Sequence, residues 1–251
     1  MDAVKEDYKD GICTLTLNRP NKKNAMDSEL LPALYQALQN AEAAKSQVVI
    51  IRGSGKAFCA GGDIVEFRQS EDTASRIDFM ADELHKSILL IRKMGAIVVA
   101  AVEGVAVGAG LGLALACDIT VAARNTVMNM GYRKIGLTPD GGGSIFLSRI
   151  VGAKKFSELY LFSRNITMNE ALDLGLVNFV WDEESFEERL QKMIADLTAL
   201  PMETIPYFKD LVNHSVYTGL DIHLDKERFY VSELGGKPQF KERLDQFFSK
   251  K

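Results

Sequence analysis

The sequence predicts an α/β protein in which a mostly parallel sheet is layered with helices and followed by a helical tail. Three observations carry this expectation. Apolar runs of strand length alternate with amphipathic helical stretches up to Gly152, helix then follows helix, and no Ser/Gly-rich linker, repeat or low-complexity tract divides the two parts. With 251 residues, 47% hydrophobic and 25% charged, the chain has the composition of an ordinary globular protein and can bury a sizeable core. Residues 1–195 are expected to form the α/β core and residues 196–251 a helical region.

In chain order, Cys13–Leu17 alternates apolar and polar residues like a half-buried strand, and Asn18-Arg19-Pro20-Asn21 breaks it. Asp27 or Ser28 can cap a helix running to about Glu42, with Leu30, Leu31, Leu34, Leu38 and Ala41 on one face and Pro32 near its first turn. Val48–Arg52, Ile97–Val102, Ile119–Ala123 and Val177–Trp181 read as buried strands, with a polar, amphipathic segment between the first two around Ser75–Met94. The tail pattern gives helices at Ala153–Phe162, from an Asn169 cap to Gly175, at Glu183–Leu200, Glu203–Asn213, Leu220–Leu234 and Phe240–Phe248.

Charge and cysteine content exclude several classes. A net charge of −4 argues against a nucleic-acid binder. Cys13, Cys59 and Cys117 lie far apart without metal-ligand spacing, which points to a reducing, cytoplasmic setting and to no metal. The polar N-terminus is no secretory signal, and Glu103 in the apolar stretch Ala96–Cys117 argues against a membrane span.

Familiar catalytic signatures are missing too. The chain has no GxSxG and no Walker A pattern, and the run starting at Gly108 lacks the third glycine of a dinucleotide loop. His85, His214 and His223 sit in polar helical contexts and read as surface histidines. Two glycine-bearing loops remain, each leading from a strand into a helix: Lys56–Ile64 and Glu103–Gly110. Helix N-termini offer unpaired N–H groups, and two of them converging would form an oxyanion hole. The plainer alternative is that these glycines allow close helix–strand packing. A third segment, Gly136–Gly143, sets Asp140 among glycines, although Pro-Asp-Gly is also an ordinary turn.

Taken together these segments resemble the crotonase superfamily, the enoyl-CoA hydratase/isomerase group. The matching pieces occur in the family's order: Leu17–Pro20 with Asn24-Ala25-Met26, Lys56–Ile64, Val99–Gly104 running to Gly110, Ala116-Cys117-Asp118, Gly136–Gly142, Val151-Gly152, Glu170-Ala171 and Gly175-Leu176-Val177. The resemblance implies a crotonase-like ββα spiral core with a C-terminal helical trimerisation region. It also implies an acyl-CoA thioester substrate, so that coenzyme A arrives as part of the substrate and no separate cofactor is needed.

By the same resemblance the backbone amides of Gly62 and Ala109 would hold the thioester oxygen, with Gly61, Gly108 and Gly110 small for that reason. Ala60, Gly61, Gly62, Asp63 and Ile64 would lie along the CoA, joined by Lys23, Ala25 and Tyr132. Lys22, Lys23 and Lys56 are candidates for its phosphates. The region Ile64–Ile91 would set the size of the acyl pocket, and Phe240 and Lys241 are candidates for a tail contact that completes a pocket. Similar proteins form trimers or dimers of trimers, which is the assembly expected here.

The sequence departs from the family's hydratases. Their two glutamates would fall at Gly112 and Tyr132, and neither is a carboxylate. Asp140 then stands as the single acid, as in isomerase-like members, and the expected activity is a Δ3,Δ2-enoyl-CoA isomerisation or a close variant. A hydratase-type lyase with a water site rebuilt around Tyr132 and Asp140 is one alternative; a non-catalytic acyl-CoA-binding protein is another. A hydrolytic dehalogenase, with an aspartate nucleophile near this position, is disfavoured because no His lies near the loops in sequence and Trp181 is the only tryptophan.

Overall fold

The structure is a computed structural model that describes residues 2–249; Met1, Lys250 and Lys251 lie outside the described residues. In chain order its elements are β1 (Val4–Lys9), β2 (Ile12–Leu17), α1 (Leu30–Ala43), β3 (Val48–Gly53), α2 (Ile64–Gln69) and α3 (Thr73–Lys93). Then come β4 (Ile97–Val102), β5 (Val105–Val107), α4 (Ala109–Ala116), β6 (Ile119–Ala123), β7 (Val127–Asn129), α5 (Gly143–Phe162), α6 (Met168–Asp173) and β8 (Phe179–Trp181). Four helices finish the chain: α7 (Phe186–Thr198), α8 (Ile205–Val216), α9 (Leu220–Gly235) and α10 (Pro238–Ser249).

Six strands form one sheet in the order β1-β2-β3-β4-β6-β8, parallel throughout except for the β1–β2 hairpin, while β5 and β7 pair in parallel as a small second sheet. The alternation of side chains along a strand explains why β3 and β4 are apolar without a break. Val49, Ile51, Val98 and Ala100 face the main core under α1, α3 and α4. Val48, Ile50, Val99 and Ala101 face a second core closed by Trp181 and α7. The one-sided pattern of α7, with Phe186, Leu190 and Ile194 inward, fits this cover.

The tail is tied to the core by buried charge. Lys209 of α8 donates to the carbonyls of Ile91 and Ala96 at 2.8 and 2.9 Å and pairs with Asp118 at 2.8 Å, while Arg92 holds the other Asp118 oxygen at 3.0 Å. On α9, Arg228 pairs with Asp78 and Asp82 of α3. No helix among the described residues is long and apolar enough to cross a membrane.

Several sequence expectations need correction. β1 was unanticipated because only Val4 of its VKEDYK is buried, the mark of a polar edge strand. β5 and β7 are three residues each, too short to show a period. The helix expected from Ala153 begins at Gly143 and is interrupted at Gly152, whose backbone (φ 76°, ψ 162°) is not helical, so only its second half was apparent. Thr167, not Asn169, caps α6, its side chain accepting from the Glu170 amide.

Candidate active site

The first wall of the site is built from backbone. Asn24, fully buried and left-handed at φ 53°, donates through Nδ2 to the Ala57 and Ser54 carbonyls at 2.6 and 2.9 Å and accepts the Arg19 amide at 2.8 Å. That clamp lays residues 23–26 along residues 60–63: Ala60 N donates to Lys23 O, Met26 N to Gly61 O and Asp63 N to Met26 O. In such a parallel bridge the flanking residues make both bonds, so the amide of Gly62 is turned to the opposite side. A second bridge, Cys59 to Ala106, fixes the neighbouring loop beside the first. Gly108 (φ 56°, ψ −123°) then turns the chain into α4, leaving Ala109 as its first residue with an N–H that has no intrahelical acceptor. The two loops touch. A Cβ placed on Gly61 (φ 91°) would lie 2.8 Å from the Val107 carbonyl oxygen and 3.6 Å from the Ala109 nitrogen.

The second wall is built from side chains. Asp140 is only 7% exposed, and its Oδ1 lies 2.8 Å from Nε2 of His85 on α3. The Tyr132 hydroxyl donates to the Asp140 carbonyl at 2.7 Å. Glu227 of α9 accepts the amides of Gly142 and Ser144 at 2.8 and 2.9 Å, together with the Ser144 hydroxyl, and so caps the start of α5. His223 reaches the same hydroxyl at 2.7 Å. His85, Asp140 and Glu227 thus bring ligand-type atoms within 4.8 Å of one another. Because both Glu227 oxygens are taken by donors of the α5 start, the cluster is built as a hydrogen-bonded network. Burial alone would lower the pKa of His85, but the Asp140 carboxylate, with Glu227 behind it, holds it above the ordinary value. Burial first, then the nearby charges of Asp140 and Glu227, push the Tyr132 phenol well above its ordinary range.

Both walls face one cavity of ≈ 610 Å³, a size ordinary for a small-molecule site. Lys23, Ala25, Ala60, Gly61, Gly62, Asp63, Ile64, Gly108, Ala109, Tyr132 and Asp140 all line it, whereas Gly110 does not. Lys22 also lies at its edge, whereas Lys56 is exposed outside the lining. Phe67, Ile77, Met80, Ala81 and Leu84 form much of the apolar side, as anticipated for the stretch Ile64–Ile91. From the tail it is Val231, Phe247 and Phe248 that line the cavity; Phe240 is buried against Phe67 with ring centroids 6.3 Å apart, and Lys241 is exposed. Sequence reasoning missed Lys134 at the lining and, above all, His85. His85 is a buried partner of Asp140 and not a surface histidine, because α3 brings residue 85 against a loop 55 positions away.

A family model described as enoyl-CoA hydratase/isomerase matches residues 7–251. The chain belongs to that family. It is 31% identical over 255 residues, 100% of this chain and 97% of the relative, to the 1,2-epoxyphenylacetyl-CoA isomerase of Escherichia coli (strain K12). It is 30% identical over 250 residues, 98% of this chain and 91% of the relative, to 4-chlorobenzoyl coenzyme A dehalogenase-2 of an Arthrobacter species. Among solved structures, the enoyl-CoA hydratase from Bacillus halodurans superposes with a TM-score of 0.90 at 26% identity, covering 97% of this chain and 99% of that one. The fold is the crotonase fold.

Within the family the two hydratase-glutamate positions take on physical meaning. A Cβ on Gly112 would sit 2.2 Å from the Gly141 carbonyl oxygen, so the loop that carries Asp140 rests directly on the bare backbone of α4. No side chain fits at 112 while that loop keeps its place. Tyr132 spends its hydroxyl on the Asp140 carbonyl and is a support of the acid loop. At these two positions the wall thus holds a bare backbone and a hydrogen-bonded phenol, with the carboxylate of Asp140 beside them.

Proposed function

We propose that this enoyl-CoA hydratase/isomerase family member is an isomerase of the Δ3,Δ2-enoyl-CoA type that works with one aspartate. The observation that carries the reading is the acid inventory of the cavity. Of the two carboxylates at its lining, Asp63 is committed to Arg19 and to capping α2, which leaves Asp140. The amides of Gly62 and Ala109 bind the thioester oxygen. Asp140 removes a proton from C2 of a β,γ-unsaturated thioester, the two amides hold the dienolate, and the same carboxyl returns the proton to C4, so that no water or redox partner is consumed. General acid–base transfer of this kind contributes roughly 10²–10⁴ in rate. Asp140→Asn protein should therefore isomerise 3-enoyl-CoA at roughly 10²–10⁴ less than the parent rate while still binding the thioester; an undiminished rate removes Asp140 from the mechanism.

Coenzyme A enters as part of the substrate, with Lys22, Lys23 and Lys134 near its phosphates. The assembly proposed with this activity is a homotrimer or a dimer of trimers, because α8 and α9 leave Tyr207, Phe208, Leu211, Ile222 and Phe229 exposed. Sedimentation that gives a concentration-independent monomer excludes it. The three buried free thiols favour a reducing, cytoplasmic compartment.

One observation supports a second reading, hydrolytic dehalogenation with Asp140 as nucleophile: the His85 contact that the sequence had hidden. Two features count against it. His85 is not part of the cavity lining, and Trp181 packs in the second core between Phe179 and Phe186. Incubation with 4-chlorobenzoyl-CoA should release no chloride; stoichiometric release would favour this reading over the isomerase.

A further inference from the structure

Three separate restraints act on Asp140 and the turn that follows it. The Tyr132 hydroxyl fixes its carbonyl, and Glu227 fixes the amide of Gly142 two residues on. The backbone is thereby set without any help from α3. What these bonds leave free is the carboxyl torsion, which for an aspartate is broad and roughly two-fold. Among the described residues, the one side chain bonded to that carboxyl group is His85, at 2.8 Å from Oδ1.

We propose, on the isomerase reading above, that His85 is the positioning residue of Asp140: by holding Oδ1 it fixes the carboxylate plane and leaves Oδ2 to move the proton. His85 itself does not touch the thioester. It is 5% exposed, is not part of the cavity lining and keeps its own proton while the substrate's proton travels from C2 to Oδ2 and on to C4.

The surroundings of the imidazole fit this role. A buried ring with polar nitrogens is costly unless it is hydrogen-bonded, and here its bond goes to the acid at the cavity instead of to backbone or solvent. The groups facing it are Asp140 from the acid loop, Glu227 and Arg228 from α9, and Asp78 on its own helix. Arg228 is already paired with Asp78 and Asp82. Glu227 therefore remains as a second negative charge beside the imidazole. When Asp140 becomes neutral by accepting the substrate's proton, Glu227 still balances an imidazolium, and His85 stays in place as a donor. Orientation of a reacting group is worth this much structure because a displacement of about 1 Å can cost roughly 10²-fold in rate.

The test compares His85→Ala with His85→Gln in the full-length protein, using 3-hexenoyl-CoA and following kcat, KM and thermal melting. Loss of the donor in His85→Ala should lower kcat roughly 10²-fold with KM little changed, and His85→Gln, which keeps an N–H within reach, should recover most of that loss. The acid limb of kcat in His85→Gln should move to higher pH, because a neutral amide opposes protonation of the site less than an imidazolium does. A merely structural His85 would instead make the two variants fall together in step with their melting temperatures, and that result overturns the proposal, as does an unchanged kcat in His85→Ala. A second readout needs no turnover. The NMR titration midpoint of the His85 ring should lie above that of an ordinary histidine and fall in Asp140→Asn; a midpoint indifferent to Asp140 overturns the pairing. A parent protein that isomerises no 3-enoyl thioester yet shows this coupling sinks the isomerase reading and leaves the His85–Asp140 contact standing.

Discussion

The two walls of the cavity are made by different physics. The wall around Gly62 and Ala109 is main chain: short loops, positive-φ glycines and bridges between segments that enter from the sheet. The wall around Asp140 is side chain: Tyr132, His85 and Glu227 converge on one turn from three separate elements. A donor made of backbone withstands most side-chain substitutions, whereas an acid held by side chains can be retuned at any of its supports. This difference gives one fold room to keep the thioester site and vary the proton chemistry beside it.

The largest effect that tests this contrast comes from deleting a backbone donor outright. Ala109 is the first residue of α4, a position where proline is well tolerated because its missing N–H has no helical acceptor. Ala109→Pro should therefore fold and melt near the parent temperature while losing roughly 10²–10³ in isomerisation rate. Retained activity in a folded Ala109→Pro protein would break the assignment of that amide to the thioester oxygen. Next in size is Gly112→Glu, which offers a carboxylate at one hydratase position. Its Cβ would fall 2.2 Å from the Gly141 oxygen, so the variant should lose about 3 kcal/mol of stability in urea titrations. It should gain no hydration of crotonyl-CoA; hydration by a stable Gly112→Glu protein would show that the two walls are less tightly joined than the close approach implies.

The same contrast explains what the sequence revealed. Loops of glycine and small residues leave a local signature, so the segments holding Gly61, Gly62, Gly108 and Ala109 stood out while their roles came from the resemblance; β4 and β6 were legible from their largely apolar runs. Asp140 was singled out by the family resemblance, since Pro-Asp-Gly by itself reads as an ordinary turn. His85 was not, since residues near it in sequence describe only an amphipathic helix, and its meaning comes from a loop 55 positions later. Glu227 was hidden in the same way, lying 85 residues from the amide it accepts. Short strands such as β5 and β7 owe their existence to bridges made across loops, which leave no period to detect.

A smaller effect is expected at Tyr132. Tyr132→Phe removes the hydroxyl that donates to the Asp140 carbonyl and leaves that carbonyl with the Gly143 amide at 3.1 Å as its remaining donor, at a cost of about 0.5–1.5 kcal/mol. Because the ring stays and His85 still holds the carboxyl, kcat should fall less than in His85→Ala. If Tyr132→Phe proves the more damaging of the two for kcat, the backbone restraint outranks the torsional one and the ranking of supports around the acid must be inverted.

The smallest effect is a pH dependence of stability confined to the side-chain wall. In the folded protein His85 is held above its ordinary value of 6.5, and a group raised on folding binds its proton more tightly in the native state. Its contribution is fully present below the unfolded value near 6.5 and is lost as pH rises through the higher folded value. The urea midpoint of the parent protein, measured relative to His85→Gln, should therefore decline as the pH is taken from mildly acidic into the alkaline range. In Asp140→Asn the carboxylate that raises His85 is gone and burial opposes the charge, so this decline with rising pH should disappear. The amides of the Gly62–Ala109 wall do not titrate, and Ala109→Pro should reproduce the parent curve in shape. A parent-minus-His85→Gln difference that stays constant across the range would mean that His85 carries no extra proton in the folded state, and the electrostatic distinction between the walls would fail.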